Sequence, residues 1–304
     1  MVSRLSFRDL LLVLVVVTVW GFSFVTIRWA LASGPPFALA ALRFFFAAVP
    51  AVFFVKRPAV PWRTLVAYGF AIGVFQFGLL FLGMQLGMPA GLSSLVIQSQ
   101  VFFTIALAAW ILHDRITRHS VIGACIATAG MAVLAAHKLI EGATATFAGF
   151  LVVLGAALSW AIGNIITKRA AARGDVDVLG VVVWASLAVP LPLALASFLF
   201  EGGSDALVRV AHMPWEAWAS VLFMSYCATL FGLAAWNALL HRYPTAVIAP
   251  FALLIPVAGF MSGAIFLGEG LAPLQFAGAA LVLAGLAWNL YGGQAREWIA
   301  RAFD

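Results

Sequence analysis

The chain has 304 residues, of which 64% are hydrophobic and 9% are charged, and its formal net charge at pH 7 is +6. Soluble globular domains are about 45–50% apolar and about 25% charged, so this composition excludes an ordinary soluble domain. The basic residues form short clusters between apolar blocks rather than a basic face, which argues against nucleic-acid binding. The two cysteines, Cys125 and Cys227, lie within apolar blocks, a position typical of buried small residues rather than of a disulfide or metal site.

Ten apolar blocks follow one another along the chain, each close to the ~20 residues that a helix needs to cross a bilayer. Prolines and glycines such as those of Gly34-Pro35-Pro36 punctuate their boundaries. We therefore predict an all-α integral membrane protein with ten transmembrane helices. The predicted spans are 9–31, 36–55, 64–86, 91–112, 118–137, 147–168, 177–200, 217–240, 246–267 and 273–291.

The distribution of lysine and arginine predicts the orientation of these spans. If the N-terminus is cytoplasmic, 13 of the 17 basic residues fall on the cytoplasmic side, and only Arg28, Lys138 and Arg209 fall outside. Such an excess follows the positive-inside rule, so we expect a multi-pass membrane protein with both termini in the cytoplasm.

An internal repeat divides the chain into two halves. Four features of the first half recur with a constant offset of 155 residues in the second: Pro89 and Pro244, Asp114 and Glu269, Gly123 and Gly278, Gly130 and Gly285. We predict two five-helix repeats, 1–137 and 147–291, and a cytoplasmic tail, 292–304. Because five is odd, the repeats insert with opposite orientations, and such inverted repeats are typical of secondary transporters.

Several of these segments carry a resemblance to a known family. The stretches Val19-Trp20-Gly21-Phe22-Ser23-Phe24-Val25, Leu42-Arg43-Phe44, Leu254-Ile255-Pro256-Val257 and Leu267-Gly268-Glu269 are similar to EamA units of the drug/metabolite transporter superfamily. Within it, 87–100 and 159–164 resemble exporters of cysteine-pathway metabolites and other amino acids. The resemblance implies a bacterial inner-membrane exporter of neutral or sulfur-containing amino acids and related metabolites, working by alternating access. Aromatic amino acids are the competing substrates, because the middles of the spans are rich in tryptophan and phenylalanine.

Arg43 is the most informative single residue, because it lies near the middle of the second span, where an arginine costs roughly 2.5–3.5 kcal/mol. None of the 11 acidic residues lies well inside a span. One interpretation is that Arg43 faces the cavity and binds a substrate carboxylate. The other is that it pairs with helix carbonyls, a glutamine or neighbouring helices.

Neutral polar side chains lie deep in the first half. Gln76, Ser94 and Gln98 are candidate substrate contacts, and the residues 155 positions after the two glutamines are apolar. Gln98 and Gln100 point about 200° apart on a helix, so at most one of them faces a cavity squarely. A cavity polarised on one side suits a zwitterionic substrate.

Aromatic and amide residues near the middle of other spans complete the predicted site. Trp20 and Trp160 lie too deep for the interfacial aromatic belt, so we expect them to line the cavity or pack the central helices. The remaining candidates for substrate binding are Phe24, Asn164, Tyr226 and Trp236. Tyr226 is expected to share one stripe of the eighth span with Thr229 and Asn237. Asn164 is equally suited to bonding helices together.

Prolines inside the spans are candidate hinges, because each removes an intrahelical hydrogen bond. Pro190 and Pro192 in the seventh span, and Pro250 and Pro256 in the ninth, are the predicted gating positions, although a static kink is the alternative.

Catalytic groups, cofactors and metals are not predicted. All five histidines lie in loops or at span ends, and no Walker A loop occurs. The lack of a buried carboxylate or histidine predicts transport down the substrate gradient, or weak coupling to protons or sodium. Besides the exporter, a channel-like facilitator of metabolites or drugs stays open, and a membrane enzyme is disfavoured. The expected partners are the substrate and the bilayer, without nucleic acid; a monomer is compatible with the sequence.

Overall fold

The computed structural model describes residues 5–88, 90–113, 118–140, 147–172, 176–267 and parts of 273–288. Within those ranges every regular element is a helix. A short helix, Ser204–Ala211, joins two of the long ones. The long helices are α1 (Phe7–Leu31), α2 (Pro36–Val52), α3 (Trp62–Gln85), α4 (90–112), α5 (Arg118–Ile140), α6 (Phe147–Ala171), α7 (Val178–Phe200), α8 (Trp215–Arg242) and α9 (245–267).

Seven helices among the described residues are long and apolar enough to cross a membrane. Three shorter apolar helices, Pro36–Val52, Val121–Gly130 and Phe276–Gly285, accompany them, and the last includes positions outside the described residues. Large apolar side chains such as Phe54, Trp110 and Leu191 are exposed on the outside. Exposed apolar surface on this scale requires lipid contact, so the protein crosses the membrane several times.

The nine predicted spans from 9–31 to 246–267 coincide with α1 to α9 within a few residues at each end. The tenth, 273–291, lies largely outside the described residues. The largest differences are three residues, at the C-terminal ends of three helices: α2 stops at Val52 rather than at residue 55, α5 at Ile140 rather than at 137, and α6 at Ala171 rather than at 168. Helix starts follow local chemistry: the backbone N–H of Asp9 donates to Ser6 Oγ at 3.1 Å, and Pro36 opens α2.

Four helices depart from α-helical geometry, and their irregular turns are spaced like the sequence repeat. Gly69–Phe77 in α3 and Met224–Phe231 in α8 are π-helical and begin 155 residues apart. Ile97–Ser99 in α4 and Ala249–Leu254 in α9 are 3₁₀-helical and end 155 residues apart. Such turns are frequent at functional sites, and no feature of the sequence predicted them.

The prolines proposed as hinges lie at or next to breaks in two helices. α7 is interrupted over 187–189, and Pro190 begins its second half, which also contains Pro192. Pro250 lies inside the 3₁₀ segment of α9, and Pro256 is the second residue after that segment. Because proline lacks an N–H group and clashes with the preceding turn, it favours such breaks. Movement at these sites stays a prediction.

Glycines allow the central helices to approach closely. A Cβ atom added to Gly21 of α1 would lie 2.5 Å from Cβ of Ala258 and 2.7 Å from the backbone nitrogen of Gly259, both in α9. α1 also packs against α8, while α6 packs against α3 and α4, and α2 against α3, α7 and α8. The two halves therefore interdigitate around a shared centre.

Candidate functional site

A cavity of about 40 Å³ lies at the centre of the bundle. One water molecule needs about 10–15 Å³ by the same measure, so the cavity has room for roughly three. Seven helices, α1, α2, α3, α4, α6, α8 and α9, contribute to its wall. The lining residues are Trp20, Ser23, Phe24, Ile27, Arg43, Gln76, Phe77, Leu80, Ile97, Gln98, Trp160, Leu233 and Ile255.

One face of α1 forms a wall of the cavity. Trp20, Ser23, Phe24 and Ile27 are spaced at i, i+3, i+4 and i+7, which places them on the same side of a helix. The indole Nε1–H of Trp20 donates to the carbonyl oxygen of Ala228 at 2.9 Å, which fixes the ring. This wall is mostly apolar and suits the apolar part of a ligand.

Arg43 is the only described residue of the lining whose side chain carries a permanent charge, and it is 1% exposed. Its Nε–H donates to Thr229 Oγ1 at 2.7 Å, and the guanidinium carbon lies 3.8 Å from the ring centroid of Phe77. The stacked ring and the hydroxyl hold the guanidinium in place. Nη1 is buried and has no hydrogen-bond partner among the described residues.

Unpartnered polar atoms are concentrated at this cavity. Five of the seven buried side-chain nitrogen and oxygen atoms without a hydrogen-bond partner in the described part of the chain belong to its lining. Besides Nη1 of Arg43 they are Oε1 of Gln76, Oε1 and Nε2 of Gln98, and Nε1 of Trp160. Since buried polar groups are normally paired, such a cluster indicates a place for a polar ligand or water.

The polar lining comes mainly from the first half of the chain. Arg43, Gln76 and Gln98 precede residue 137, whereas Leu233 and Ile255 of the second half are apolar. The one second-half polar atom without a partner among the described residues is Trp160 Nε1. The cavity therefore has a polar side and an apolar side.

Gln98 and Gln100 contact different parts of the bundle. Gln98 lines the cavity, while Gln100 accepts a hydrogen bond from Nδ2 of Asn164 at 3.3 Å and one from Oγ1 of Thr104 at 3.1 Å. Asn164 Oδ1 in turn accepts from the indole N–H of Trp236 at 3.3 Å. This polar layer joins α4, α6 and α8 directly beside the cavity.

Three tryptophans form the boundary between the cavity and this polar layer. The ring centroids of Trp20 and Trp160 lie 5.3 Å apart, and those of Trp20 and Trp236 lie 5.2 Å apart. Gly232 leaves room for the indole, because a Cβ there would lie 2.5 Å from Nε1 of Trp20. The cluster links α1, α6 and α8 and closes the cavity on this side.

A second polar layer lies nearer to the ends of α6 and α8. Asn237 donates to the hydroxyl of Tyr68 at 2.8 Å and accepts from Thr167 at 3.4 Å. Beyond it a smaller cavity of about 20 Å³ is lined by Lys168 and His241, among others. Lys168 also donates to Thr245 at the start of α9.

The start of α1 is joined to the end of α8 at the same end of the bundle as the smaller cavity. We call this group of residues the clasp; it consists of Ser6, Asp9, Arg242 and Tyr243. Nη1 of Arg242 lies 3.0 Å from Oδ1 of Asp9, and the hydroxyl of Tyr243 donates to Oδ2 of Asp9 at 2.8 Å. Ser6 Oγ also donates to Oδ2 at 2.8 Å. We call this end of the bundle, which carries Lys168 and Arg242, the basic face.

Of the ten residues predicted to bind substrate, the structure brings six to the cavity: Trp20, Phe24, Arg43, Gln76, Gln98 and Trp160. Ser94, Asn164 and Trp236 are buried but do not line it. Tyr226 is 40% exposed and is separated from the buried Thr229 and Asn237, with which it was expected to share a stripe. The expectation assumed an α-helix, whereas the π-helical segment bonds i to i+5 and widens the turn.

Sequence reasoning did not select seven lining residues: Ser23, Ile27, Phe77, Leu80, Ile97, Leu233 and Ile255. Helical spacing from Trp20 was a sufficient signal for Ser23 and Ile27. Thr229, which bonds Arg43, and Phe77, which stacks on it, had no such signal, because their positions depend on the π-helices. Among the described residues no three His, Cys, Asp or Glu side chains cluster as metal ligands would.

Comparison with known proteins gives a consistent result. The sequence profile of the EamA-like transporter family matches residues 8–136 and 147–291. A relative from Salmonella typhimurium, described as "Probable amino-acid metabolite efflux pump", is 42% identical over 294 residues, 96% of this chain and 98% of the relative. One of the same description from Escherichia coli is 40% identical over 95% of this chain and 96% of its own length.

Two further comparisons extend the range. A "Probable terminal-alkyne amino-acid exporter" of Streptantibioticus cattleyicolor is 29% identical over 76% of this chain and 74% of its own length. One crystal structure aligns with a TM-score of 0.76 and 19% identity, covering 97% of this chain and all of that one. At that identity the likeness shows a shared fold alone.

Proposed function

The chain belongs to the EamA-like transporter family, and from that premise we propose that it exports amino acids and related metabolites by alternating access. It is a multi-pass protein of the cell inner membrane, and its cargo includes neutral, sulfur-containing or aromatic amino acids. The observation that carries the proposal is the central cavity, which combines an apolar wall with polar atoms that have no partner among the described residues; these atoms belong to Arg43, Gln76, Gln98 and Trp160.

The proposed topology is ten spans in two inverted five-helix repeats, with both termini in the cytoplasm. Two observations support it: the family profile matches the chain twice, at 8–136 and 147–291, and the irregular turns of α3 and α8 begin 155 residues apart. Three shorter apolar helices accompany the seven long ones. In this topology the basic face is cytoplasmic, as the positive-inside rule requires.

The proposed binding mode places the carboxylate of the substrate against Nη1 of Arg43. Arg43 is pre-positioned by Thr229 and Phe77, so little side-chain freedom is lost on binding. The indole N–H of Trp160 and the amide of Gln98 offer further donors, and the amide oxygens of Gln76 and Gln98 accept from the amino group. The apolar wall of α1 receives the side chain.

Alternating access requires the two sides of the cavity to open in turn. Four sets of contacts lie between the cavity and the surface of the basic face: the tryptophan cluster, the Asn164 layer, the Tyr68–Asn237 layer and the clasp. Each of these joins α8 to helices of the first half or to α6. We propose that cytoplasmic opening separates α8 from α1, and that the breaks at Pro190 and Pro250 absorb the movement.

Counterflow in proteoliposomes tests transport. Vesicles preloaded with unlabelled methionine, cysteine, O-acetylserine or phenylalanine are expected to accumulate the labelled compound transiently, because a carrier exchanges one bound substrate for another. A channel-like facilitator would show no stimulation by internal substrate, and a chemically altered product would indicate an enzyme. We also propose that transport runs down the substrate gradient, or is weakly coupled to protons or sodium, because none of the 11 acidic residues lies well inside a predicted span. A robust dependence of uptake on an imposed pH gradient would contradict this proposal.

Replacing Arg43 tests the carboxylate-binding role. Arg43→Gln is expected to lower counterflow of methionine at least tenfold, since charge-assisted hydrogen bonds contribute about 1.5–3 kcal/mol. Arg63→Gln, the same change at an exposed residue at the start of α3, is the control and is expected to transport normally. A folded Arg43→Gln protein that transports at the unmodified rate would rule out the role.

A further inference from the structure

The charge inventory of the cavity points to a rule for its cargo. Among the described residues, Arg43 is the one charged residue that lines the cavity, and no described aspartate, glutamate or histidine lines it. The described acidic residues have other positions: Asp9 pairs with Arg242, Asp177 caps α7, and Glu201 accepts from the backbone N–H groups of Phe37 and Ala38. Asp205 and Glu216 lie near the ends of helices on the opposite side from the clasp.

A buried cation without a counter-ion is unfavourable, because the guanidinium has lost its hydration. Its Nε–H is satisfied by the neutral oxygen of Thr229, and its Nη1 has no partner within the described residues. A ligand carboxylate supplies the missing negative charge and an acceptor together. The empty site therefore carries a charge of +1, which one carboxylate neutralises.

An ammonium group fares differently in the same cavity. The buried side-chain oxygens of the lining that have no hydrogen-bond partner among the described residues are the amide oxygens of Gln76 and Gln98, which carry no formal charge. It would also share a small, poorly hydrated space with the guanidinium of Arg43, a like charge. A zwitterion thus leaves one uncompensated positive charge in the site, whereas a carboxylate without an ammonium leaves none.

We infer that the cavity selects cargo by net charge: it requires one carboxylate, does not require the amino group, and discriminates against a second positive charge. This inference rests on the proposed function, because it concerns the same cavity. The favoured substrate class is a monoanion with an apolar side chain, such as a 2-oxo acid or an N-acylated amino acid. Neutral amino acids are second, and cationic amino acids and amino-acid esters are excluded.

Competition against labelled methionine in proteoliposomes of the unmodified protein tests the rule. The matched series is methionine, N-acetylmethionine, its 2-oxo acid analogue 4-methylthio-2-oxobutanoate, and methionine methyl ester; norleucine and lysine form a second pair. The monoanions are expected to inhibit at concentrations equal to or several-fold below that of methionine. The methyl ester and lysine are expected to need at least tenfold more than methionine and norleucine, respectively.

The outcomes separate the two claims. The charge rule is wrong, and the proposed function stands, in either of two cases in which methionine is transported. In the first, both monoanions inhibit tenfold more weakly than methionine. In the second, lysine inhibits as strongly as norleucine. If no member of the series is transported or competes, both are wrong. Arg43→Lys keeps the positive charge, so the preference for monoanions is expected to persist. In a folded Arg43→Gln this preference is expected to vanish. The control Arg63→Gln is expected to keep the order of inhibitors found for the unmodified protein. An unchanged preference in folded Arg43→Gln overturns the assignment to Arg43.

Discussion

At the residue scale, polar side chains in an apolar sequence were the strongest signal. Arg43, Gln76 and Gln98 are visible in the sequence because a charge or amide within a span costs free energy and is retained for a purpose. The structure brings all three to one cavity. What each does there depends on Phe77 and Thr229, which are unremarkable as residue types and became relevant only through contact with the guanidinium.

Trp160→Phe isolates one hydrogen-bond donor of the cavity. The substitution keeps an aromatic ring but removes Nε1–H, which has no partner among the described residues. We expect unchanged thermal stability and an affinity for methionine lower by roughly 2- to 10-fold, the equivalent of one hydrogen bond of about 0.5–1.5 kcal/mol. Unchanged affinity would show that the indole N–H does not contact the cargo.

Trp236→Phe is the matched comparison, because its indole N–H is already bonded to Oδ1 of Asn164. Removing it leaves a buried amide oxygen without that donor, so the midpoint of thermal unfolding in detergent is expected to fall. The two variants are thus expected to separate binding from stability. Equal effects on both measurements would contradict that separation.

At the element scale, packing of irregular helices decides the position of the site. The 3₁₀ turn Ile97–Ser99 brings Gln98 to the cavity and places Gln100 against Asn164. The π-helical turns carry Gln76 and Phe77 in α3, and Thr229 in α8, to the neighbourhood of Arg43. An ideal α-helix would rotate these side chains differently, which is why the stripe expected for Tyr226 did not form.

Gly21→Val tests the close contact between α1 and α9. Even the first added carbon would lie 2.5 Å from Cβ of Ala258, so the helices must separate, at a cost of about 1–3 kcal/mol or more. We expect a lower unfolding temperature and weaker transport. Gly155→Ala in α6 is the control, because the added Cβ would lie at an ordinary contact distance of 3.6 Å from Leu79. This substitution is expected to leave stability nearly unchanged. Equal stability of both variants would refute the contact.

At the scale of the whole molecule, the two halves meet in layers that close the basic face. The clasp connects the first helix to the end of α8 across 233 positions of sequence, and the polar layers connect α3, α4 and α6 to α8. A pair with Arg242 59% exposed is screened by solvent and contributes little alone. Such a weak ion pair is suited to a closure of the basic face that must be reversible.

Asp9→Asn is expected to favour opening of the basic face. Loss of an exposed ion pair changes an equilibrium by about 0.2–1 kcal/mol, or up to roughly fivefold. The reporter is a cysteine introduced by Thr167→Cys, beside the smaller cavity. The measurement is the rate at which a maleimide labels this cysteine in detergent-purified protein whose Cys125 and Cys227 are replaced by serine. Labelling is expected to be about 2- to 5-fold faster than with Asp9 present. Asp205→Asn, on the exposed short helix, is the control, and equal labelling of all three proteins would exclude a closing role for the clasp.

The sequence by itself determined the membrane class, the positions of nine helices and the polar residues of the first half. Those features depend on composition, hydrophobic length and the cost of burying charge, which are local properties of the chain. Only the tertiary structure decided which polar side chains meet. Whether Gln98 rather than Ser94 lines the cavity, and whether Thr229 reaches Arg43, depends on π and 3₁₀ turns and on glycine contacts between helices distant in sequence. These arise from packing around a shared centre, and no single segment encodes them.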